Sequence, residues 1–104
     1  MFLITTETIK GREIGEVLGL VRGNTIRARH MGRDIMAGLR NIVGGEIKEY
    51  TRMLSQARNQ AVERMVKEAE ELGADAVIGM RFTTSQTMSG AAEILAYGTA
   101  VKLA

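Results

Sequence analysis

The sequence predicts an α+β fold, a two-layer β-β-α-β-β domain with one long helix on a mainly antiparallel sheet. Three observations predict it. Strand-forming residues dominate both ends of the chain, an apolar stripe of helical period occupies the middle, and 104 residues suffice for one modest core. We therefore expect a single domain over residues 1–104.

The first part of the chain reads as two strands. Residues 2–9 (FLITTETI) and 13–28 (EIGEVLGLVRGNTIRA) have strand composition, and Gly11 separates them, so we expect them to pair as a hairpin. Glycine recurs every fourth residue, at Gly11, Gly15, Gly19 and Gly23. In a strand these glycines share one bare face, and some are expected at bulges. Close packing against a neighbour is the expected role, with a ligand cradle as the alternative.

Two helices are predicted in the middle of the chain. Residues 30–43 (HMGRDIMAGLRNIV) carry apolar side chains at the spacing of a short helix. Residues 46–72 predict the long helix, because their apolar stripe advances in steps of three or four. Gly73 is expected to end this helix in a left-handed turn. The stripe consists of Tyr50, Leu54, Ala57, Ala61, Met65, Ala69 and Leu72.

The last part of the chain predicts two more strands, residues 74–82 and 91–103, joined by a polar loop at 83–90. The final strand is apolar on both faces. One face carries Leu95, Tyr97, Val101 and Leu103, and the other carries Ile94, Ala96, Gly98 and Ala100. Because one helix covers only one face, the second face needs another chain. We therefore expect a homo-oligomer.

Composition excludes several kinds of chemistry. The chain has no Cys and one His, so it lacks thiolate metal ligands, a cysteine nucleophile and any pair of imidazoles. Ser85 and Ser89 lie outside any nucleophile motif and far in sequence from His30. We expect no enzyme and no cofactor. A metal site built from one chain is not expected, although repetition of His30 or Glu46 around a symmetry axis would create a cluster.

Charge and hydropathy bound the partners and the compartment. The net charge is only +2, and four aromatic residues offer no stacking platform, so no nucleic acid partner is expected. No apolar run is long enough to span a bilayer, and the first residues lack the basic region of a signal peptide. The expected location is the cytoplasm, without a membrane partner.

One basic segment is a candidate anion site. Arg27 and Arg29 are expected on one side of a strand, followed by His30 and Arg33 at the start of the predicted short helix. Glu46 joins them as a candidate near a subunit junction. Two interpretations stay open: these residues bind a small anion or metal ion, or the arginines form ion pairs between subunits.

Four stretches of the chain resemble the YbjQ-like family of small bacterial and archaeal domains. They are GREIGEVLGLVRG, RHMGRDIMAGLRNIVGGEIKEYT, LGADAVIGMRF and GAAEILAYGTAVKL, of which the GGE ending at Glu46 and the GADAV beginning at Gly73 are the most distinctive. The resemblance covers nearly the whole chain. It implies a dodecin-like two-layer subunit that assembles into a pentameric ring, and a label of heavy-metal binding. The absence of Cys gives that label little support.

Overall fold

A computed structural model describes residues 1–27, 48–88 and 91–104. These residues form β1 (Phe2–Leu3), β2 (Ile14–Arg27), α1 (Lys48–Glu71), β3 (Ala76–Met88) and β4 (Ala91–Leu103). The four strands make one sheet in the order β1-β3-β4-β2. β4 pairs antiparallel with both β2 and β3, whereas β1 pairs parallel with β3. The predicted α+β class is confirmed, and the sheet is mixed.

The long helix α1 packs on one face of the sheet through its alanine stripe. Ala57, Ala61, Met65 and Ala69 are fully buried, which confirms the predicted core stripe. They lie against Val21 of β2 and against Ile94, Ala96 and Ala100 of β4. The stripe weakens at its ends: Leu54 is half-buried, Leu72 is exposed, and the side chain of Tyr50 is outside the described part.

Helix and sheet approach most closely at Gly23. A Cβ atom there would collide with the carbonyl oxygen of Ala61 and the amide nitrogen of Met65. Next to it, the buried Thr25 donates a hydrogen bond from Oγ1 to the carbonyl of Ala57 over 3.2 Å. Close packing against a neighbour is therefore the confirmed role of Gly23.

The end of α1 follows its predicted capping chemistry. Gly73 has φ of 77°, a left-handed conformation that side chains disfavour. Its amide donates to the carbonyl of Glu70 over 2.9 Å, and the amide of Ala74 donates to the carbonyl of Ala69 over 3.1 Å. This pair of bonds is the Schellman motif, which satisfies the last helical carbonyls and directs the chain into β3.

The predicted hairpin between the first two strands is wrong. β1 is only two residues long and pairs with Ala76 and Val77 of β3. Residues 4–6 continue alongside β3, and Ile4 and Ile9 pack on the second face of the sheet. Burial of these isoleucines between β1 and β2 draws the segment away from a regular hairpin.

The regular glycine spacing does not produce one bare face. Gly11 lies outside the strand in a left-handed turn with φ of 81°. The pairing of β2 with β4 shifts register between Ile14 and Glu16 and again between Val17 and Gly19. The expectation of bulges is thus confirmed. Gly19 and Gly23 share the helix side of the sheet through their partners Ala100 and Ala96, whereas Gly15 lies at the first register shift and Gly11 outside the strand, so the four glycines do not form one stripe.

The predicted polar loop is mostly strand. β3 runs on to Met88, so residues 83–88 of the expected 83–90 loop pair with β4. Threonine favours strands, and the residues from Arg81 to Gln86 are exposed and, apart from Phe82, polar. The described part of the long helix runs from Lys48 to Glu71, so the helix ends one residue before the predicted Leu72. Residues 46 and 47 of that prediction, and the short helix expected at 30–43, lie outside the described residues.

Candidate functional site

Arg27 is the one predicted site residue among those that the structure describes. It ends β2, pairs with Ala92 of β4 and is half-buried. Its Nε atom is buried and has no hydrogen-bond partner within residues 1–27, 48–88 and 91–104. A buried donor without an acceptor costs about 1–3 kcal/mol, so Arg27 is a position where an added acceptor would stabilise the protein.

The other predicted site residues are Arg29, His30, Arg33 and Glu46, and all four lie outside the described residues. Ser89 also lies outside them, while Ser85 is an exposed residue of β3. The structure therefore brings no two of the predicted ligand-binding residues together, and their convergence stays a prediction.

The described residues do not fit a heavy-metal ion. They contain no cluster of three or more His, Cys, Asp or Glu side chains. Soft metal ions prefer thiolate and imidazole ligands, and the sequence offers no Cys and only His30. The part of one chain that the structure describes supplies no such donor set.

A second candidate surface lies on the sheet face turned away from α1. Residues paired across neighbouring strands point to the same face, so the register defines rows of side chains. Residues 4–14 cover one end of this face, over Ala76, Ile78 and Val101. We call the remainder the open face; it consists of Val17, Leu20, Arg22, Asn24, Ile26, Arg81, Thr83, Ser85, Glu93, Leu95 and Tyr97.

The open face exposes apolar side chains of β2. Val17 is 65% exposed, Leu20 is 63% exposed and Ile26 is 57% exposed, the three largest values among the exposed large hydrophobic residues that the structure describes. Leu95 and Tyr97 of β4 lie half-buried beside them. This confirms the prediction that the last strand is apolar on both faces and that the helix covers only one.

Charged and polar side chains are interleaved with these apolar groups. Asn24 donates from Nδ2 to Oε2 of Glu93 over 2.9 Å. In the next row, Arg22 and Arg81 lie on either side of Tyr97. Arg81 donates from Nη1 to the carbonyls of Thr5 and Met80, over 2.6 and 2.8 Å.

This composition fits a protein partner better than a small molecule. Interfaces are enriched in tyrosine, arginine and apolar residues, whereas small-molecule sites are concave. Sequence reasoning did not single out Asn24 or Arg81, because the face that they share with Glu93 follows from strand register. The only available signal was the two-sided apolar pattern of residues 91–103.

Within the part of the chain that the structure describes, no helix is long and apolar enough to cross a membrane.

Comparison with known proteins shows the family. The YbjQ family model, described as "Putative heavy-metal-binding", matches residues 1–104. The chain therefore belongs to this family, as its sequence motifs indicated.

Curated relatives are similar over almost their full length, and each is called a UPF0145 protein. The relative from Archaeoglobus fulgidus is 66% identical over 99% of this chain and 95% of its own. The relative from Thermotoga maritima is 61% identical over 99% of this chain and 97% of its own length. The relative from Vibrio campbellii is 61% identical over 99% of this chain and 99% of its own length.

A solved structure shares the fold. It is a protein of unknown function of the DUF74 family from Pediococcus pentosaceus, with a TM-score of 0.66 and 19% sequence identity, covering 100% of this chain and 98% of that one. At this identity the likeness supports the fold alone.

Proposed function

We propose that this chain is a cytoplasmic, non-enzymatic protein that assembles into a homo-oligomeric ring, a pentamer, and binds a small anion or metal ion at the junctions between subunits. The residues proposed to bind it are Arg27, Arg29, His30, Arg33 and Glu46. The ring follows the dodecin-like arrangement implied by the sequence resemblance. The label of the family supports ion binding in general and identifies no ion for this chain.

The observation that carries the assembly proposal is the set of exposed apolar side chains on β2. Val17, Leu20 and Ile26 lie on the open face, and each leaves more than half of its surface in water. Large apolar side chains exposed together on one sheet face favour an interaction site. Burial of three such side chains would contribute several kcal/mol, at roughly 25 cal/mol per Å² of apolar surface.

The observation that supports ion binding is the buried Nε atom of Arg27. An oxyanion would supply the acceptor that this donor lacks among the described residues, and arginine binds oxyanions through two parallel hydrogen bonds. Anions also suit the basic segment, where Arg27, Arg29 and Arg33 outnumber Asp34.

A second candidate function is a structural or interaction module in which the ring acts without a ligand. It is favoured by the described residues' lack of a metal-binding cluster. In this alternative the arginines form ion pairs with carboxylates of the neighbouring subunit. A crystal structure of the oligomer in which Arg27 Nε contacts a subunit carboxylate would favour the module over the ion-binding ring.

Calorimetry with defined probes tests ion binding. We expect inorganic phosphate, or failing it Zn²⁺, to bind the intact oligomer, and Arg27→Gln to weaken the binding about tenfold, because one charge-assisted contact contributes about 1.4 kcal/mol or more. The matched control is Arg52→Gln, an exposed arginine of α1. Absence of binding by both probes, or equal binding by the two variants, would contradict the proposed site.

A further inference from the structure

The outer edge of β3 is covered over only half its length. Phe2 and Leu3 pair with Ala76 and Val77, and residues 4–6 continue alongside the strand. The amide of Gly79 donates to the carbonyl of Thr6 over 2.8 Å, and the amide of Met80 donates to the carbonyl of Ile4 over 2.9 Å. From residue 81 to residue 88, no described residue pairs with this edge.

This half of β3 has few of the features that protect edge strands. Natural sheets blunt an exposed edge with Pro, Lys or other charges, or with a bulge. Between Arg81 at its start and the register shift between Gln86 and Met88, residues 82–86 (FTTSQ) contain no Pro, no Gly, no charged side chain and no register shift. Thr83, Thr84 and Ser85 are exposed, and Phe82 leaves 46% of its surface in water. Such an edge is suited to pairing with another strand.

β2 forms the opposite edge of the sheet, and within the described part of the chain it pairs with β4 alone. Its two register shifts fall before Leu20, and residues 20–27 then pair regularly with β4. On the outer side of this regular half, Arg64 of α1 donates from Nη1 to the carbonyl of Asn24 over 2.6 Å. A carbonyl oxygen has two lone pairs, so this contact leaves room for an amide of another strand.

The two edges match in length, level and direction. Residues 22–27 of β2 and residues 81–86 of β3 are each six residues long and pair with the same stretch of β4, from Tyr97 to Ala92. Both strands run antiparallel to β4 and are therefore parallel to each other. A second copy displaced across the strands would thus place its β2 beside this β3 without sliding along it.

We propose that residues 22–27 of β2 in one subunit pair with residues 81–86 of β3 in the next, so that the sheets of neighbouring subunits become continuous. The contact joins two different surfaces and so generates a ring when its rotation closes. The inference rests on the proposed ring and assigns the strands that form it. A second copy is the occupant because no described residue pairs with either edge at this level of the chain, whereas a bound peptide would need only one edge.

Two features of the subunit accommodate this junction. The irregular first half of β2 lies level with the first half of β3, which β1 already covers, so the junction does not use it. Phe82 shares a row with Ala96 and Gly23, on the helix side of the sheet. In the junction, Phe82 would lie beside Gly23 of the partner subunit and under its helix, which buries the exposed ring.

Disulfide trapping tests the junction in a chain that has no native Cys. Ile26 and Ser85 are exposed and both pair with Glu93, two strand spacings or about 10 Å apart within one subunit. A disulfide requires Cα atoms within about 7 Å, so the double variant Ile26→Cys with Ser85→Cys can form it only between subunits. Replacing Ile26→Cys by Asn24→Cys in a second double variant samples the adjacent register on the same face.

We expect mild oxidation to convert at least one double variant into covalent multimers up to the size of the ring, and the single variants to stay unlinked. Glu70→Cys with Ser85→Cys, which places one thiol on the exposed end of α1, is the matched control. Covalent dimers from Ser85→Cys alone would instead indicate β3 pairing with itself and overturn the proposal. If the protein is oligomeric but neither double variant forms covalent multimers, the proposed junction is wrong and the ring is not contradicted. If the protein is a monomer in solution, both the junction and the ring are wrong.

Discussion

Gly23 lies so close to the backbone of α1 that the packing leaves no space for a side chain. A methyl group in its place would meet the backbone of Ala61 and Met65, and would lie 2.8 Å from the carbonyl carbon of Arg64. Backbone atoms of a helix cannot rotate away as a side chain can. The helix would have to lift from the strand, which separates Ala61 and Met65 from Val21.

We therefore expect Gly23→Ala to lower the free energy of unfolding by about 3 kcal/mol, the upper part of the range for overpacked cores. Urea denaturation at fixed protein concentration measures it. Gly15→Ala is the matched control in the same strand, because its Cβ would meet only the terminal Ala104 at 3.3 Å. Its effect is expected within about 0.5 kcal/mol. Equal stability of the two variants would contradict the close helix–strand contact.

For single residues, the sequence predicts burial better than it predicts which other residues are in contact. The alanine stripe of residues 46–72 indicated a helix lying close to its sheet, and Ala57, Ala61 and Ala69 are fully buried. The partner of each glycine could not be predicted, because bulges in β2 break the relation between spacing and face. Arg27 was singled out for its charge pattern, whereas the burial of its Nε atom depends on tertiary packing.

At the scale of elements, the end of α1 depends on the conformation of Gly73. Nothing closer than 3.6 Å would meet an added Cβ, where Cε of Lys102 lies, so a substitution encounters no steric clash. Its cost comes from the left-handed φ of 77°, which disfavours side chains by about 1–2 kcal/mol.

We expect Gly73→Ala to destabilise the fold by about 1 kcal/mol, and Gly73→Asn to cost less, because asparagine tolerates this conformation. Thermal unfolding monitored by circular dichroism compares the two variants at equal concentration. A Gly73→Ala protein as stable as the original would show that the Schellman turn is not needed to end the helix.

The proposed junction between subunits predicts how the stability of the oligomer depends on salt concentration. A copy repeated across the strands places Arg22 beside Arg81 of the partner subunit, and like charges on adjacent strands repel. Because salt screens this repulsion, we expect the oligomer to tighten between about 50 mM and about 500 mM NaCl. Arg22→Gln should reduce this dependence, and Arg52→Gln on α1 should not. Sedimentation at several protein concentrations gives the dissociation constants, and weakening of the oligomer by salt would count against the junction.

The element order was largely predictable and the strand pairing was not. The helical stripe, Gly73 and the final strand are local patterns, and all three are confirmed. The hairpin prediction failed because residues 4–13 pack Ile4 and Ile9 on the sheet instead of continuing a strand. The loop prediction failed because polarity was taken as evidence against a strand, although an exposed edge strand is polar too.

At the scale of the whole molecule, the described part of the subunit is a thin, elongated slab. It extends 53 × 29 × 17 Å with a radius of gyration of 16.9 Å, whereas a compact chain of about 100 residues has a radius of gyration of about 13 Å. A slab exposes much surface for its volume, and its open face carries Val17, Leu20 and Ile26. These exposed apolar side chains support the proposed assembly.

The mass of the protein in solution tests this account most directly. Light scattering coupled to size exclusion, at micromolar concentration, is expected to give about 57 kDa, the mass of five subunits of 11.3 kDa. A mass that corresponds to another closed oligomer would change the number of subunits but not the proposal of assembly. A mass of 11.3 kDa for the folded protein would contradict the account, because the apolar side chains of β2 would then face water.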